Sequence, residues 1–114
     1  MQRPFICHSP KNAGSPIIFN NPHSGRIYNG SFLRQAVLNF KQIRISEDFY
    51  VDQLLESVTK SGSFLLEACF PRSFVDVNRS PLEIDHTMWK GNFNSSRFFR
   101  SFRVNSGIGV IPKV

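Results

Sequence analysis

Pro16-Ile17-Ile18-Phe19-Asn20-Asn21-Pro22-His23-Ser24-Gly25 is the stretch whose reading decides the fold. Its first five residues form a short apolar run bounded by turn formers, which is the pattern of a buried strand. The next five leave that strand at its C-terminal end, where Pro22 and Gly25 enforce a sharp exit and put the His23 imidazole in position to be aimed at a ligand. In open α/β sheets ligands bind just outside the carboxyl ends of strands, because loops there converge polar groups over a rigid sheet. Standing alone, a histidine in such a loop is more often bonded to backbone.

Outward from this segment, residues 1–15 are rich in Pro, Asn, Ser and Gly and read as an extended lead-in to a domain spanning 16–114. Apolar positions 32, 33, 36, 37 and 40 form a helical stripe with Ser31 as its N-cap. A second helix is capped by Ser46, carries Glu47 and Asp48 at its positive end, buries Val51, Leu54, Leu55 and Val58, and stops at Gly62. Ser63 to Phe70 is a strand, and Phe74 to Val77 a third short one. Strand, helix, helix, strand, strand predicts an α/β layer fold with a largely parallel or mixed sheet. Pro81 to Ser106 lacks any sustained period and reads as a long loop anchored by Trp89 and Phe93, followed by a strand or tight turn from Gly107.

The chain has 114 residues, 40% of them hydrophobic and 19% charged, which sets it among globular rather than disordered sequences. Its apolar runs are strand-sized, so a membrane span is not expected, and the N-terminus lacks the features of a secretory signal. A cytoplasmic location follows as the default. Cys7 and Cys69 are too distant for a CxxC motif and too few for a disulfide scaffold, so they are read as reduced thiols. The net charge of +6 raises nucleic-acid binding. Only Arg97-Phe98-Phe99-Arg100-Ser101-Phe102-Arg103 interleaves basic and aromatic residues, and that segment equally suits a surface stretch with its phenyl groups turned inward. A nucleic-acid partner is therefore not expected, whereas a basic cleft for a small anionic substrate is.

Three further groups carry chemistry. Asp48, or Glu47 beside it, offers a carboxylate to pair with His23 as a metal ligand; stabilisation of the helix dipole is the alternative role. Asn78-Arg79 supplies an amide and a planar fork suited to a substrate carboxylate. Arg72 can stabilise an oxyanion. Both arginines can equally serve in salt bridges to Asp76, Glu83 or Asp85. Neither Ser24 nor Cys69 has the setting of an activated nucleophile, so covalent catalysis is not expected.

Taken in order, Asn21-Pro22-His23-Ser24-Gly25-Arg26 with Tyr28, Glu47-Asp48-Phe49-Tyr50-Val51-Asp52 with Leu54, Pro71-Arg72-Ser73 with Val75-Asp76-Val77-Asn78-Arg79, and Gly107-Ile108-Gly109-Val110-Ile111-Pro112 resemble the N-formylglutamate amidohydrolase family. The resemblance implies a phosphorylase/hydrolase-like α/β fold with a mixed sheet, related to zinc carboxypeptidases and aspartoacylase-type deacylases and incomplete here. It implies hydrolysis of an N-formyl or N-acyl amide of an acidic amino acid, as in histidine catabolism, with Zn²⁺ as cofactor. By the same resemblance His23 is a first metal ligand, Asp48 (or Glu47) a second, Arg72 the oxyanion group, and Asn78 and Arg79 the grip on the substrate carboxylate. Metal-activated water would attack the carbonyl.

Members of the family are more than twice as long and carry a His-Ser-Met-type motif and further catalytic residues in their C-terminal half. This sequence stops before them. Asp85-His86-Thr87-Met88 looks like that motif in outline but follows the Asn-Arg pair directly, where the family has a loop, so His86 is not taken as the third ligand. An inactive fragment, an interaction module, or a chain needing a complementary C-terminal polypeptide are the expectations that follow.

Overall fold

The computed structural model describes residues 3–92 and 95–113. Three strands form one open mixed sheet in the order β1-β3-β2: β1 is Phe5–His8, β2 is Ile18–Asn21 and β3 is Phe64–Ala68. β1 runs antiparallel to β3, pairing Phe5 with Ala68 and His8 with Leu65. β2 runs parallel to β3, pairing Ile18 with Phe64 and Asn21 with Glu67. A parallel pair ends on one edge of the sheet, so the loops after Asn21 and after Ala68 emerge side by side. That register brings His23 toward Arg72.

Within the extended lead-in, Phe5–His8 is a strand paired to the sheet, which the sequence reading did not assign. The alternation in Phe-Ile-Cys-His is too short to stand out, but β3 offers it a partner edge.

The helical regions are shorter than their apolar stripes predict. Helix α1 covers Gly30–Gln35, with Asn29 rather than Ser31 as N-cap, its side chain accepting from the Ser31 N–H. The chain then turns extended at Ala36 and restarts as α2, Phe40–Ile43, where Asn39 and Gln42 form a reciprocal capping box. A side chain that satisfies fresh N–H donors starts a new helix where periodicity alone continues the old one. Helix α3 is Val51–Leu55 and a 3₁₀ turn follows over Val58–Ser61, closed by Gly62 at φ 86°. Glu47 and Asp48 precede α3 instead of lying in it. Tyr50 stands between them and the helix at φ 65°, a left-handed conformation that breaks any helix begun at Ser46.

Phe74 to Val77 is a turn region, not a strand. Phe74 N–H donates to Pro71 O and Arg79 N–H to Asp76 O, while the Asp76 carboxylate accepts from the Asn78 N–H at 2.9 Å. Asp side chains that capture a backbone N–H two residues on favour turns over strands. The long loop after Pro81 holds 3₁₀ turns at His86–Met88 and Ser95–Arg97 and a helix α4, Phe102–Asn105, before a tight turn at Gly107, φ 77°. Its buried apolar residue is Val104, 2% exposed; Trp89 is 56% exposed rather than buried, and Phe93 lies outside the described residues.

Ile43, Leu65, Val104 and Val110 are buried apolar side chains, and Pro71 is buried as well. The outline measures 52 × 30 × 26 Å. Among the described residues no helix is long and apolar enough to cross a membrane.

Candidate functional site

The loop leaving β2 is pinned to the end of β3 by close backbone approach. A Cβ on Gly25 would lie 2.1 Å from Phe70 O and 2.7 Å from Ala68 O, so only glycine fits. Two residues on, Ile27 N–H donates to Cys69 O at 2.9 Å. The Ser24 hydroxyl has Asn21 Oδ1 at 2.9 Å and the Asp48 carbonyl at 2.8 Å, and Asn21 Nδ2 donates to Glu67 Oε1 at 3.1 Å. Glu67 in turn meets His8 Nε2 at 2.6 Å. A polar chain thus runs from the surface of β1 across the sheet to the loop of His23.

His23 is 7% exposed and is held at both ring nitrogens. Its Nε2 lies 2.8 Å from Asp76 Oδ1 and its Nδ1 3.3 Å from Asp48 Oδ2. The Asp48 N–H also donates to His23 O, which ties the two segments together at the main chain. Asp76 is wholly buried and accepts from Arg72 Nε at 2.9 Å as well, with Arg79 Nε at 3.7 Å. Burial pushes its carboxyl up, but the hydrogen bonds from His23 and the Asn78 N–H and the charges of His23 and Arg72 outweigh it, and the group sits below its ordinary value. An ionised carboxylate only accepts, so the ring's Nε2 faces Asp76 through a proton, and the Asp48 carboxylate opposite Nδ1 is likewise an acceptor. Two electron-rich atoms facing each other at 3.3 Å call for a cation or a proton between them.

Sequence reading sees Asp76 only as a salt-bridge partner for the arginines; the structure makes it the hub. Its signal is the spacing Arg72, Asp76, Arg79, two guanidinium groups bracketing one carboxylate, which is costly to bury unless fully paired. Arg72 lies between Asp76 and Asp48, with Nη1 3.7 Å from Asp48 Oδ1. Arg79 donates from Nε to Ile108 O at 3.1 Å and from Nη1 to Asn78 O at 2.9 Å, so it fastens the 107–112 turn beside the site. Asn78 is exposed.

Glu47 lies apart from His23. Its carboxylate receives Arg44 at 2.9 and 3.0 Å and the Tyr28 hydroxyl. Burial raises the Glu47 carboxyl, yet these hydrogen bonds leave it below its usual value, and burial with the Glu47 contact raises Tyr28. Arg44 also stacks on Phe40 and Phe49 at 5.7 and 5.1 Å. The cluster anchors the segment that presents Asp48, whose side chain is 44% exposed at the rim. His86 stands in the loop after Arg79 with its Nε2 3.1 Å from Arg100 Nη2. In the basic and aromatic segment, Arg103 faces Glu83, and Phe102 is 84% exposed instead of turned inward.

The His23, Asp76 and Arg72 group is a buried knot rather than a deep cleft. A cavity of about 420 Å³ is lined by Ile27, Phe32, Phe70 and Phe74, and one of about 240 Å³ by Asn21, Ser24, Asp52 and Glu67; His23, Asp48, Arg72 and Asp76 line neither. Among the described residues no group of three or more His, Cys, Asp or Glu side chains is arranged to hold a metal ion. His23 and Asp48 remain as a pair of donors.

Fold and site together define an open mixed α/β sheet with a histidine, carboxylate and guanidinium cluster at the carboxyl ends of a parallel strand pair. The profile of the N-formylglutamate amidohydrolase family matches residues 15–114, and the chain belongs to that family. The structure is similar to the crystal structure of N-formylglutamate amidohydrolase from Ralstonia eutropha JMP134, with a TM-score of 0.83 and 33% identity over 96% of this chain. The chain spans 38% of the length of that protein. No curated protein matches it.

Proposed function

We propose that this chain forms the metal-holding and substrate-holding part of a hydrolase that cleaves the C–N bond of an N-formyl, or other N-acyl, amide of an acidic amino acid such as N-formylglutamate. The reading includes a phosphorylase/hydrolase-like fold of the zinc carboxypeptidase kind and a reducing cytoplasmic setting, which suits the free thiols of Cys7 and Cys69. One observation carries it: the buried His23 ring stands between two carboxylates, with Nδ1 3.3 Å from Asp48 Oδ2 and Nε2 2.8 Å from Asp76 Oδ1.

The donor chemistry fits a divalent cation such as Zn²⁺. Imidazole nitrogen and carboxylate oxygen are ordinary zinc ligands. A carboxylate on the far nitrogen is the partner that fixes the tautomer and tilt of a metal-binding histidine. His23 and Asp48 would hold the ion, and Glu47, committed to Arg44 and Tyr28, would not. When bound, the ion supplies Lewis-acid polarisation of the amide and activation of water.

The other residues act on the substrate. Arg72 is locked by Asp76, so its N–H groups not given to Asp76 are held rigidly where negative charge grows on the carbonyl oxygen. Arg79 and the exposed Asn78 bind the substrate carboxylate. Arg79 does so as part of the wall it makes with the 107–112 turn.

A second reading, in which the chain alone is catalytically inert and acts only by binding, is favoured by the lack of a third donor among the described residues. The two separate in one assay: release of formate from N-formylglutamate, with zinc and with chelator. Zinc-dependent release that falls about a hundredfold or more in His23→Ala supports the hydrolase. In the same assay Arg72→Ala lowers kcat and Arg79→Ala chiefly raises KM. Zinc binding without release supports the inert reading, and release indifferent to chelator and to His23→Ala overturns the metal assignment.

A further inference from the structure

Ser24 has no part in the reaction proposed above, yet it is 8% exposed and its hydroxyl lies between two acceptors. Asn21 Oδ1 is 2.9 Å away and the Asp48 carbonyl 2.8 Å. The sheet decides which end of the Asn21 amide the hydroxyl meets. Asn21 stands opposite Glu67 in the parallel register, and its Nδ2 donates to Glu67 Oε1 at 3.1 Å. A carboxylate only accepts, so it takes the NH2 group of the amide and turns the carbonyl oxygen toward Ser24. Glu67 is itself held from β1, where His8 Nε2 meets its Oε2 at 2.6 Å. The Ser24 hydroxyl thus supplies the proton between two carbonyl oxygens.

What that proton holds is the segment carrying Asp48. The residue lies outside the helices and strands, between the 3₁₀ turn Arg44–Ser46 and the left-handed Tyr50, and its side chain is 44% exposed. Its main chain is fixed from the loop of His23: the Asp48 N–H donates to His23 O at 3.2 Å, and the Asp48 carbonyl accepts from Ser24 Oγ. Without the hydroxyl, Asn21 Oδ1 and Asp48 O are left as two acceptors with no proton between them, which is costly for buried groups.

We propose that Ser24 is a positioning residue for the His23 and Asp48 pair: its hydroxyl, aimed by Asn21 and Glu67, clamps the Asp48 main chain so that the carboxylate meets Nδ1. This role rests on the reading of His23 and Asp48 as metal donors. It differs from a general stabilising contact in one measurable respect, because loss of the hydroxyl frees one segment and leaves the sheet as it was.

Amide hydrogen exchange and zinc titration of the full 114-residue chain test it. In Ser24→Ala, exchange at the Asp48 amide speeds up by about tenfold or more relative to the amides of Phe64–Ala68, and zinc affinity falls by about tenfold or more. Ser24→Thr keeps the donor, and its methyl group has the cavity of about 240 Å³ beside Ser24 to enter, so both quantities return to within about threefold of the parent. In an Asp48→Ala background, Ser24→Ala changes zinc affinity by less than about twofold, since the group it positions is gone. Asp48 exchange that only keeps pace with that of β3, or a zinc loss of the same size in both backgrounds, overturns the positioning role. Exchange at Asp48 that responds to Ser24→Ala, with zinc affinity of the parent unmoved by His23→Ala, supports the clamp and overturns the metal reading, so the two failures are distinguishable.

Discussion

Asp76 and His23, separated by 53 positions in sequence, share a buried hydrogen bond of 2.8 Å that joins the loop after β2 to the turn after β3. The contact is possible because the two strands are parallel and end on one edge of the sheet. It holds the ring so that Nδ1 faces the Asp48 carboxylate. It also assigns a cost to losing Asp76, since Arg72, Arg79 and His23 all lean on one carboxylate.

Asp76→Asn therefore destabilises the fold by about 3 kcal/mol, because it leaves buried cationic groups without their counter-charge. Urea unfolding of the two proteins measures it. A change below about 0.5 kcal/mol contradicts the hub.

Gly25→Ala costs about 1–3 kcal/mol, the range expected when a methyl group is forced against fixed backbone. The obstruction is the Phe70 and Ala68 carbonyls, which cannot rotate away as a side chain does. Thermal melts show the loss, and a variant as stable as the parent shows that the His23 loop is not clamped to β3.

Tyr50→Gly raises stability by about 1 kcal/mol. The side chain is mostly exposed, and glycine removes the penalty of the left-handed backbone. A lower melting temperature in the variant shows that the Tyr50 ring contributes more than its conformation costs.

Acid weakens the hold of the C-terminal turn. The hydrogen bonds of Lys113 and Thr87 place the Asp85 carboxyl below its ordinary 3.8, and the Ser101 hydroxyl does the same for Glu83, against burial, relative to 4.5. A carboxyl depressed on folding contributes stability that is complete above its unfolded value and is lost as pH falls through the folded one. Melting temperature consequently drops as pH falls below about 4, and Lys113→Met makes that fall shallower. An unchanged acid slope in Lys113→Met removes Asp85 from the account.

The class of the fold was legible because Ile17 to Asn20 and Phe64 to Cys69 are strand-sized apolar runs bounded by turn formers, although the first is an edge strand with Ile17 and Ile18 57% and 70% exposed rather than the buried strand the run predicts. His23, Arg72, Asn78 and Arg79 stand out in the sequence as polar groups near such runs, and Asp48 as a carboxylate at an expected helix start; the structure brings His23, Asp48 and Arg72 together around Asp76. Helix ends were not legible, since Asn39 and Tyr50 interrupt good periodicity through a cap and a left-handed residue, which apolar spacing does not register. Asp76 escaped because a carboxylate between two arginines looks the same on a solvated surface as in a buried knot. Asp48 and Glu47 look alike in sequence, and the structure gives them different partners: Asp48 meets His23, while Arg44 and Tyr28 take up Glu47.

Zinc titration of the parent chain beside His23→Ala, Asp48→Asn and Glu47→Gln tests the central claim most directly. The account predicts that the first two lower zinc affinity by about tenfold or more while Glu47→Gln leaves it within about twofold. Affinity that survives His23→Ala, or that depends on Glu47 in place of Asp48, contradicts it.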